Sequence, residues 1–375
     1  MKLSEDDSRA EVRRLLGLVI SAPARFPALS LGEQDLALRV TRRARLLGRL
    51  AASLEEAGGL DELPMVVADQ LHSAQIMVEA RKRLALWELD RIAWAVGDDD
   101  QLPLVAMKGC AYLLLDLPNS RGRVFADVDL MTNEDALEEL ETRLNERGWR
   151  TAPLTPYDDN YYRRWTHELP PLTHEAREIE VDLHHNILPR TARLKPDGSA
   201  LMQRSRAVAG SRYRVLADED MVLHAMTHLI VADDLADKIR ELVDIADLLE
   251  SFSSRDAAFW NRLIQRAGEL DLQRPAFYAL RYAHRLLGTR IPEAVLLESR
   301  SWAPPGFVVA LMDRLVPRAL YPQHPDEHSR MTSFARFLLY LRSHWIRMPP
   351  WLLGYHLVYK FAVTQLGFGN KLERS

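Results

Sequence analysis

The 375-residue sequence contains a single cysteine, Cys110. A lone cysteine excludes an internal disulfide framework and any cysteine-rich metal site, and it is typical of a reducing, cytoplasmic setting. Basic residues are not in excess either, because 49 Lys and Arg face 53 Asp and Glu, a net charge of −4. Without a strong basic field we do not expect nucleic acid to be a partner.

Long apolar runs and internal repeats are also missing. No uninterrupted apolar stretch reaches the ~18–20 residues that span a bilayer, and the first residues are too polar for the apolar core of a signal peptide. The absence of a repeat of ~20–50 residues excludes a solenoid. We expect a cytoplasmic protein of two or three domains with a substantial core.

The pattern of apolar residues divides the chain into three regions. Residues 1–97 are predicted to be helical, with helical spacing over 10–20, 33–56 and 66–96. Residues 98–216 switch to short extended runs, with strands at 102–107, 124–131, 167–173 and 178–186 and a helix ending at 147. Residues 217–375 return to helices, at 218–231, 237–251, 256–270, 274–287, 306–315, 332–343 and 352–366. The sequence thus predicts an α+β protein in which helical regions flank a small mixed sheet.

Carboxylates alternate with apolar residues in two of the predicted strands. Asp127 and Asp129 lie in one, and Glu180 and Asp182 lie in the other. Residues i and i+2 of a strand project to the same side, so each pair brings two like charges together. An exposed, solvated strand can carry such a pair without any site. A hard cation such as Mg²⁺ would neutralise them, and this hypothesis predicts phosphate chemistry.

Several short motifs around these acids have the spacing of a known family. They are Met107-Lys108-Gly109, Arg123 four residues before Asp127, Asp127-x-Asp129, Asp182-x-His184 and His224-x3-His228. Over about residues 95–250 the chain resembles the uncharacterised nucleotidyltransferases, known mostly from bacterial genomes. They belong to the superfamily with a DNA polymerase β-like palm, which the resemblance implies for residues 98–216.

The resemblance implies an enzyme that moves a nucleoside monophosphate from an NTP to a hydroxyl-type acceptor and releases pyrophosphate. Asp127 and Asp129 would bind two Mg²⁺ (or Mn²⁺) ions, and Asp182 would contribute to the metal that activates the acceptor. The acceptor is unidentified, and a small molecule, a peptide and a protein side chain all remain open.

The same resemblance places the nucleotide beside Lys108, Gly109, Cys110 and Arg123. Gly109 allows a tight turn, and amides of a helix beginning at Cys110 would face a phosphate. The superfamily's usual second Gly or Ser is Cys110 here. Lys108 either binds phosphate or caps the strand, and Arg123 either clamps a phosphate or pairs with a carboxylate.

Three histidines are candidates for a supporting role. His184 shares a strand face with Asp182, where it would assist proton removal, bind substrate or simply be a buried structural residue. His224 and His228 face one way on a helix. The glutamate of a His-Glu-x-x-His motif is missing, so we expect them to pack near the nucleotide, oriented by Asp244, rather than bind a metal.

Other interpretations stay open at this point. One is a non-catalytic nucleotide-sensing or partner-docking protein on the same fold. Another is a metal-dependent hydrolase that uses His184, His224 and His228. The aromatic segment 345–361 fits a helix packed in the core or against a partner protein, and less well a helix on a membrane surface.

Overall fold

The computed structural model describes residues 5–97, 99, 101–231, 234–349 and 354. Its first part is helical, as predicted. The helices are α1 (Glu5–Ser21), α2 (Leu31–Arg43), α3 (Leu47–Glu56) and α4 (Met65–Val96). Helix α2 begins with a capping box, in which Ser30 accepts from the backbone N–H of Glu33 and the Glu33 side chain accepts from that of Ser30.

The single helix expected over residues 33–56 is wrong, because the chain breaks between α2 and α3. Arg45 lies in this break with a φ of 56°, a left-handed conformation that cannot continue a helix. Apolar spacing on both sides of the break stays helical, which is why the sequence pattern does not reveal it.

The middle of the described chain forms a seven-stranded mixed sheet. Its strands are β1 (Val105–Ala106), β2 (Asp127–Met131), β3 (Trp149–Thr151), β4 (Leu172–His174), β5 (Glu180–His184), β6 (Arg206–Ala207) and β7 (Arg214–Val215). The spatial order is β3-β4-β5-β2-β1-β7-β6, with β2/β5 and β1/β7 parallel and the other neighbours antiparallel. The intervening helices are α5 (Lys108–Leu114), α6 (Leu137–Glu146), α7 (Pro156–Trp165) and α8 (Gly198–Arg204).

The predicted strands at 102–107, 124–131 and 178–186 are confirmed in position but are shorter, whereas the run 167–173 forms a strand only from Leu172. The run 102–107 is a strand only at β1, and the run 124–131 begins to pair only at Asp127. Helices α7 and α8 and strands β6 and β7 were not predicted. Strands of two residues are too short to show an alternation of apolar and polar residues. The composition of α7 is too polar to show an apolar stripe.

The rest of the described chain is helical. It comprises α9 (Asp218–Val231), α10 (Ile239–Arg255), α11 (Phe259–Glu269), α12 (Gln273–Leu287), α13 (Glu293–Ser299), α14 (Gly306–Leu320) and α15 (Arg330–Arg347). The predicted helix 352–366 and most of the aromatic segment lie outside the described residues. At the end of α15, Trp345 stacks against Arg193, whose guanidinium carbon is 4.3 Å from the ring centre. No helix among the described residues is long and apolar enough to cross a bilayer.

One continuous apolar core links the early helices, the sheet and the later helices. Backbone contact also fixes α3 against the loop before β2. Gly122 has a φ of 64°, and a Cβ on it would overlap the carbonyl oxygen of Gly48. Only glycine fits this approach, which brings the α2–α3 break beside Arg123.

Candidate active site

The site is built where β1 ends and β2 begins to pair. The turn after β1 carries Lys108, whose φ of 44° is rare for a residue with a side chain. Its Nζ lies 2.6 Å from Oδ1 of Asp129, which is buried on β2. Asp127, two residues earlier, is exposed at the mouth of the same cleft. The strand period therefore places both carboxylates on the cleft side, at different depths.

The third acid joins through the parallel pairing of β2 with β5. The register sets Asp129 beside Asp182 and Asp127 beside Glu180. Potential ligand atoms of Asp129, Asp182 and His184 lie within 4.8 Å of one another. His184 is buried, and its Nε2 is 3.2 Å from Oδ1 of Asp129. Two distant parts of the sequence thus form one acidic cluster.

The surroundings of the cluster shift the pKa values of its acids in opposite directions. Burial opposes ionisation of Asp129, but the charge of Lys108 and the hydrogen bond with His184 outweigh it and hold the pKa of Asp129 well below its usual range. Burial and then repulsion from Asp129 raise the pKa of Asp182 to about 7. Partial desolvation and Asp129 also raise the pKa of Asp127. A further cation would therefore offset the free-energy cost of ionising Asp127 and Asp182.

A cleft of about 480 Å³ is lined by Asp127 and Asp129. Its walls come from the α2–α3 break, the β1–α5 turn, the residues before β2, and helices α9 and α10. Basic side chains line it together with the acids: Arg43, Arg45, Lys108, Arg123, Lys238 and Arg240. Four further acids line it as well: Asp234, Asp237, Glu241 and Asp244. A cleft that combines Asp127 and Asp129 with several cations is suited to a ligand that brings both metal and phosphate.

Arg123 lies in the wall and pairs with a carboxylate, one of its two predicted roles. Its Nη1 is 2.5 Å from Oδ2 of Asp244, and its guanidinium carbon is 5.2 Å from the ring centre of Tyr112. A Cβ on Gly109 would come within 3.0 Å of Arg123 Nε, so the small residue gives the guanidinium its room. These contacts hold the planar fork in one orientation at the cleft.

Arg240 on α10 shares the same carboxylate. Its Nε is 3.9 Å from Oδ2 of Asp244, and its Nη2 is buried without a hydrogen-bond partner among the described residues. Burial, together with repulsion from Arg123, lowers the pKa of Arg240 to about 10. Two guanidinium groups beside one carboxylate leave a net positive charge that an anion would neutralise.

The Cys110 side chain does not reach the cleft. Its thiol is buried and directed at the backbone oxygen of Asp127, 3.8 Å away. Burial and the nearby carboxylates raise the pKa of this thiol, so it stays protonated. Any contact of Cys110 with a nucleotide would therefore come from its backbone.

His228 of α9 lines the cleft, but Asp244, the predicted orienter of the two α9 histidines, is wrong. His228 Nδ1 is 3.2 Å from Oε2 of Glu241, whereas Asp244 pairs with Arg123. His224 is buried, and burial holds its pKa well below the usual value. Among the residues that the structure describes, no potential metal-ligating group contains either histidine.

Sequence reasoning missed several residues around the cluster. Glu168 Oε2 lies 3.2 Å from Nδ1 of His184, and His167 lies beside both. Glu241 and Arg240 reach the cleft from α10. In the sequence these side chains stand outside the acidic strand motifs, and an Arg–Glu pair on a helix is typical of any solvated helix face.

The comparisons with known proteins give one result. The family model described as "Uncharacterised nucleotidyltransferase" matches residues 31–288. No curated protein matches the chain, and no solved structure matches it. The matched range covers more than half of the sequence and includes α2, the sheet and the helices up to α12. The chain therefore belongs to the family of uncharacterised nucleotidyltransferases.

Proposed function

We propose that the protein moves a nucleoside monophosphate from an NTP to a hydroxyl-type acceptor and releases pyrophosphate, on a polymerase β-like palm formed by residues 98–216. The observation that carries this proposal is the register that sets Asp129 beside Asp182, with Asp127 at the mouth of the same cleft. Membership of a nucleotidyltransferase family supports it.

The three carboxylates fit a hard divalent cation. Asp127, Asp129 and Asp182 offer oxygen ligands from two adjacent strands. Burial, with repulsion from Asp129, raises the pKa values of Asp127 and Asp182, and a bound cation would favour their ionised forms. Mg²⁺ or Mn²⁺ held there would offset phosphate charge and acidify the attacking hydroxyl. Lys108 neutralises part of Asp129 when no metal is bound, since its Nζ contacts Oδ1 of that side chain.

The triphosphate would lie along the basic wall. Arg123 is held by Asp244 and Tyr112, so it presents its remaining N–H groups at little entropic cost. Arg240 carries the unpaired buried Nη2 and would gain a charge-assisted hydrogen bond from a phosphate oxygen. Arg45 stands exposed at the α2–α3 break beside them. The acidic strands would hold the metal, and these guanidinium groups would hold the phosphates.

The acceptor is a small molecule, a peptide or a protein hydroxyl. A net charge of −4 weighs against a polynucleotide, because such an acceptor needs an extended basic surface. The alternative is a protein that binds nucleotide on the same fold without transferring it. Both functions require metal-dependent nucleotide binding, and only transfer requires pyrophosphate release.

Calorimetry with non-hydrolysable analogues of the four NTPs, with and without Mg²⁺, tests the site. We expect Mg²⁺-dependent binding that Asp129→Asn abolishes. Arg240→Gln should weaken binding by about 10- to 100-fold, the loss of one charge-assisted hydrogen bond. Arg206→Gln is the matched control, since Arg206 pairs with Asp218 outside the cleft lining.

The outcomes separate the interpretations. No binding of any NTP by folded protein would refute the proposed site. Binding that requires Asp129 but never yields pyrophosphate with any acceptor would favour the sensing or docking function. Binding that Arg240→Gln and Arg206→Gln weaken equally would contradict the assignment of the basic wall.

A further inference from the structure

His184 lies between two carboxylates. Its Nε2 is 3.2 Å from Oδ1 of Asp129, and its Nδ1 is 3.2 Å from Oε2 of Glu168. An ionised carboxylate only accepts hydrogen bonds. Nε2 makes its hydrogen bond with Asp129, whereas Nδ1 is buried and has no hydrogen-bond partner in the described part of the chain. Nδ1 and the Glu168 carboxylate therefore lie close together without a hydrogen bond, and a cation bound by both would satisfy them.

A second imidazole converges on the same point. His167 Nε2 is 3.7 Å from Oε2 of Glu168, and the rings of His167 and His184 are 5.4 Å apart between centres. One potential ligand atom from each of His167, Glu168 and His184 lies within 4.8 Å of the others. We call these three residues the His167 cluster. A metal ion bound by Nδ1 and Glu168 would also be within reach of this second histidine.

Backbone hydrogen bonds hold the residues of this cluster on two paired extended segments. Residues 167–169 run antiparallel to the end of β5, with the Leu169 N–H donating to the Leu183 oxygen and the His185 N–H donating to the His167 oxygen, both at 2.9 Å. The bridge puts Glu168 directly opposite His184. Ligands on paired extended segments are held more firmly than ligands on free loops.

We propose that the His167 cluster binds a divalent transition metal of the Zn²⁺ class. Zinc sites have Zn–N and Zn–O distances of about 2.0–2.2 Å and are tetrahedral, so neighbouring ligand atoms are roughly 3.3–3.6 Å apart. The observed 3.2 Å and 3.7 Å separations bracket this value. Two imidazoles with one carboxylate suit zinc or iron better than Mg²⁺.

The surroundings of His184 match those of a metal-bound histidine. Such a ring usually donates its other N–H to a carboxylate, as Nε2 of His184 does to Asp129. The ion would fix the ring of His184 and through it the orientation of Asp129. The charge of Arg347 acts on both Glu168 and His167 and would oppose a bound cation, so we expect a lower affinity than that of a closed structural zinc site. The proposal does not depend on nucleotide transfer.

The test uses the full chain, stripped of metal, with Mg²⁺ in excess to occupy the carboxylates. Zn²⁺ binding is measured by competition with a chromophoric chelator. We expect one Zn²⁺ per chain, and His167→Gln or Glu168→Gln should weaken it by about 100-fold or more, since even partners of ligands contribute about 10- to 100-fold. His185→Gln, next to His184 in sequence but outside the cluster, should leave the affinity unchanged.

Zinc-edge X-ray absorption of the wild-type protein provides a second measurement that needs no variant. Two imidazole ligands support the His167 cluster. One imidazole indicates zinc in the neighbouring Asp129–Asp182–His184 group and overturns the proposal, as does Zn²⁺ binding lost in Asp182→Asn but kept in His167→Gln. Absence of Zn²⁺ binding by folded wild type also overturns it.

Discussion

Replacing Asp182 by Asn should stabilise the metal-free protein. The pKa of this carboxyl is raised to about 7 from a usual value of 3.8, through burial and the charge of Asp129. The folded state therefore holds the proton more tightly than the unfolded chain does. Stability is lost as the pH rises between the unfolded and the folded pKa, and the loss stays constant above the folded value.

The magnitude follows from the same two values. A difference of about three pH units, at about 1.4 kcal/mol each, makes the ionised side chain cost roughly 4 kcal/mol above pH 7. At about pH 5 the folded side chain is protonated and the cost falls to roughly 1.5 kcal/mol. Asp182→Asn removes the charge and keeps the shape, so its advantage over wild type should shrink by about 2.5 kcal/mol between about pH 8 and about pH 5.

Urea unfolding in EDTA at both pH values measures this difference. Saturating Mg²⁺ at the higher pH should reduce or reverse the difference in unfolding free energy that favours Asp182→Asn. A ligand at about 100 times its dissociation constant stabilises the wild-type protein by about 2.7 kcal/mol. Asp135→Asn, an exposed acid before α6, is the matched control and should show no such dependence. An Asp182→Asn protein no more stable than wild type in EDTA at the higher pH would refute the reasoning.

Three further predictions concern the site and its support. Asp127→Asn should keep or raise thermal stability in EDTA yet lose the Mg²⁺-induced thermal shift, since it relieves repulsion and removes a ligand; a marked drop in stability would contradict this. Mg²⁺ affinity should rise from about pH 6 to about pH 8 as Asp182 loses its proton, with about one proton released per ion in calorimetry at the lower pH; a flat profile would count against Asp182 as a ligand. Gly122→Ala should lower the free energy of unfolding in urea by at least about 3 kcal/mol, because the new Cβ would collide with the backbone of Gly48. Gly210 also has a positive φ but lies in open space, so Gly210→Ala should lower it by only about 1 kcal/mol. Equal losses in the two variants would disprove the collision.

Local pattern predicted the elements that have a clear period. Helices α4 and α9 are confirmed nearly to the residue, and the runs around Asp127 and Asp182 are confirmed as strands. The mixed α+β class and the family are confirmed as well. The break at Arg45 and the short strands β6 and β7 were not predicted. A single residue with positive φ and a two-residue strand do not change the spacing of apolar residues in the sequence. The division at residues 97 and 216 and the roles of the site residues remain predictions.

The sequence alone established that Asp127 and Asp129 share one side of a strand, because alternation along a strand gives that result whatever the rest of the fold does. It did not establish which groups meet them. The register of β2 with β5, the pairing of Lys108 with Asp129, and the approach of Glu168 to His184 join residues far apart in the chain. Such contacts depend on how the core packs the sheet between helices, and no local pattern records that packing.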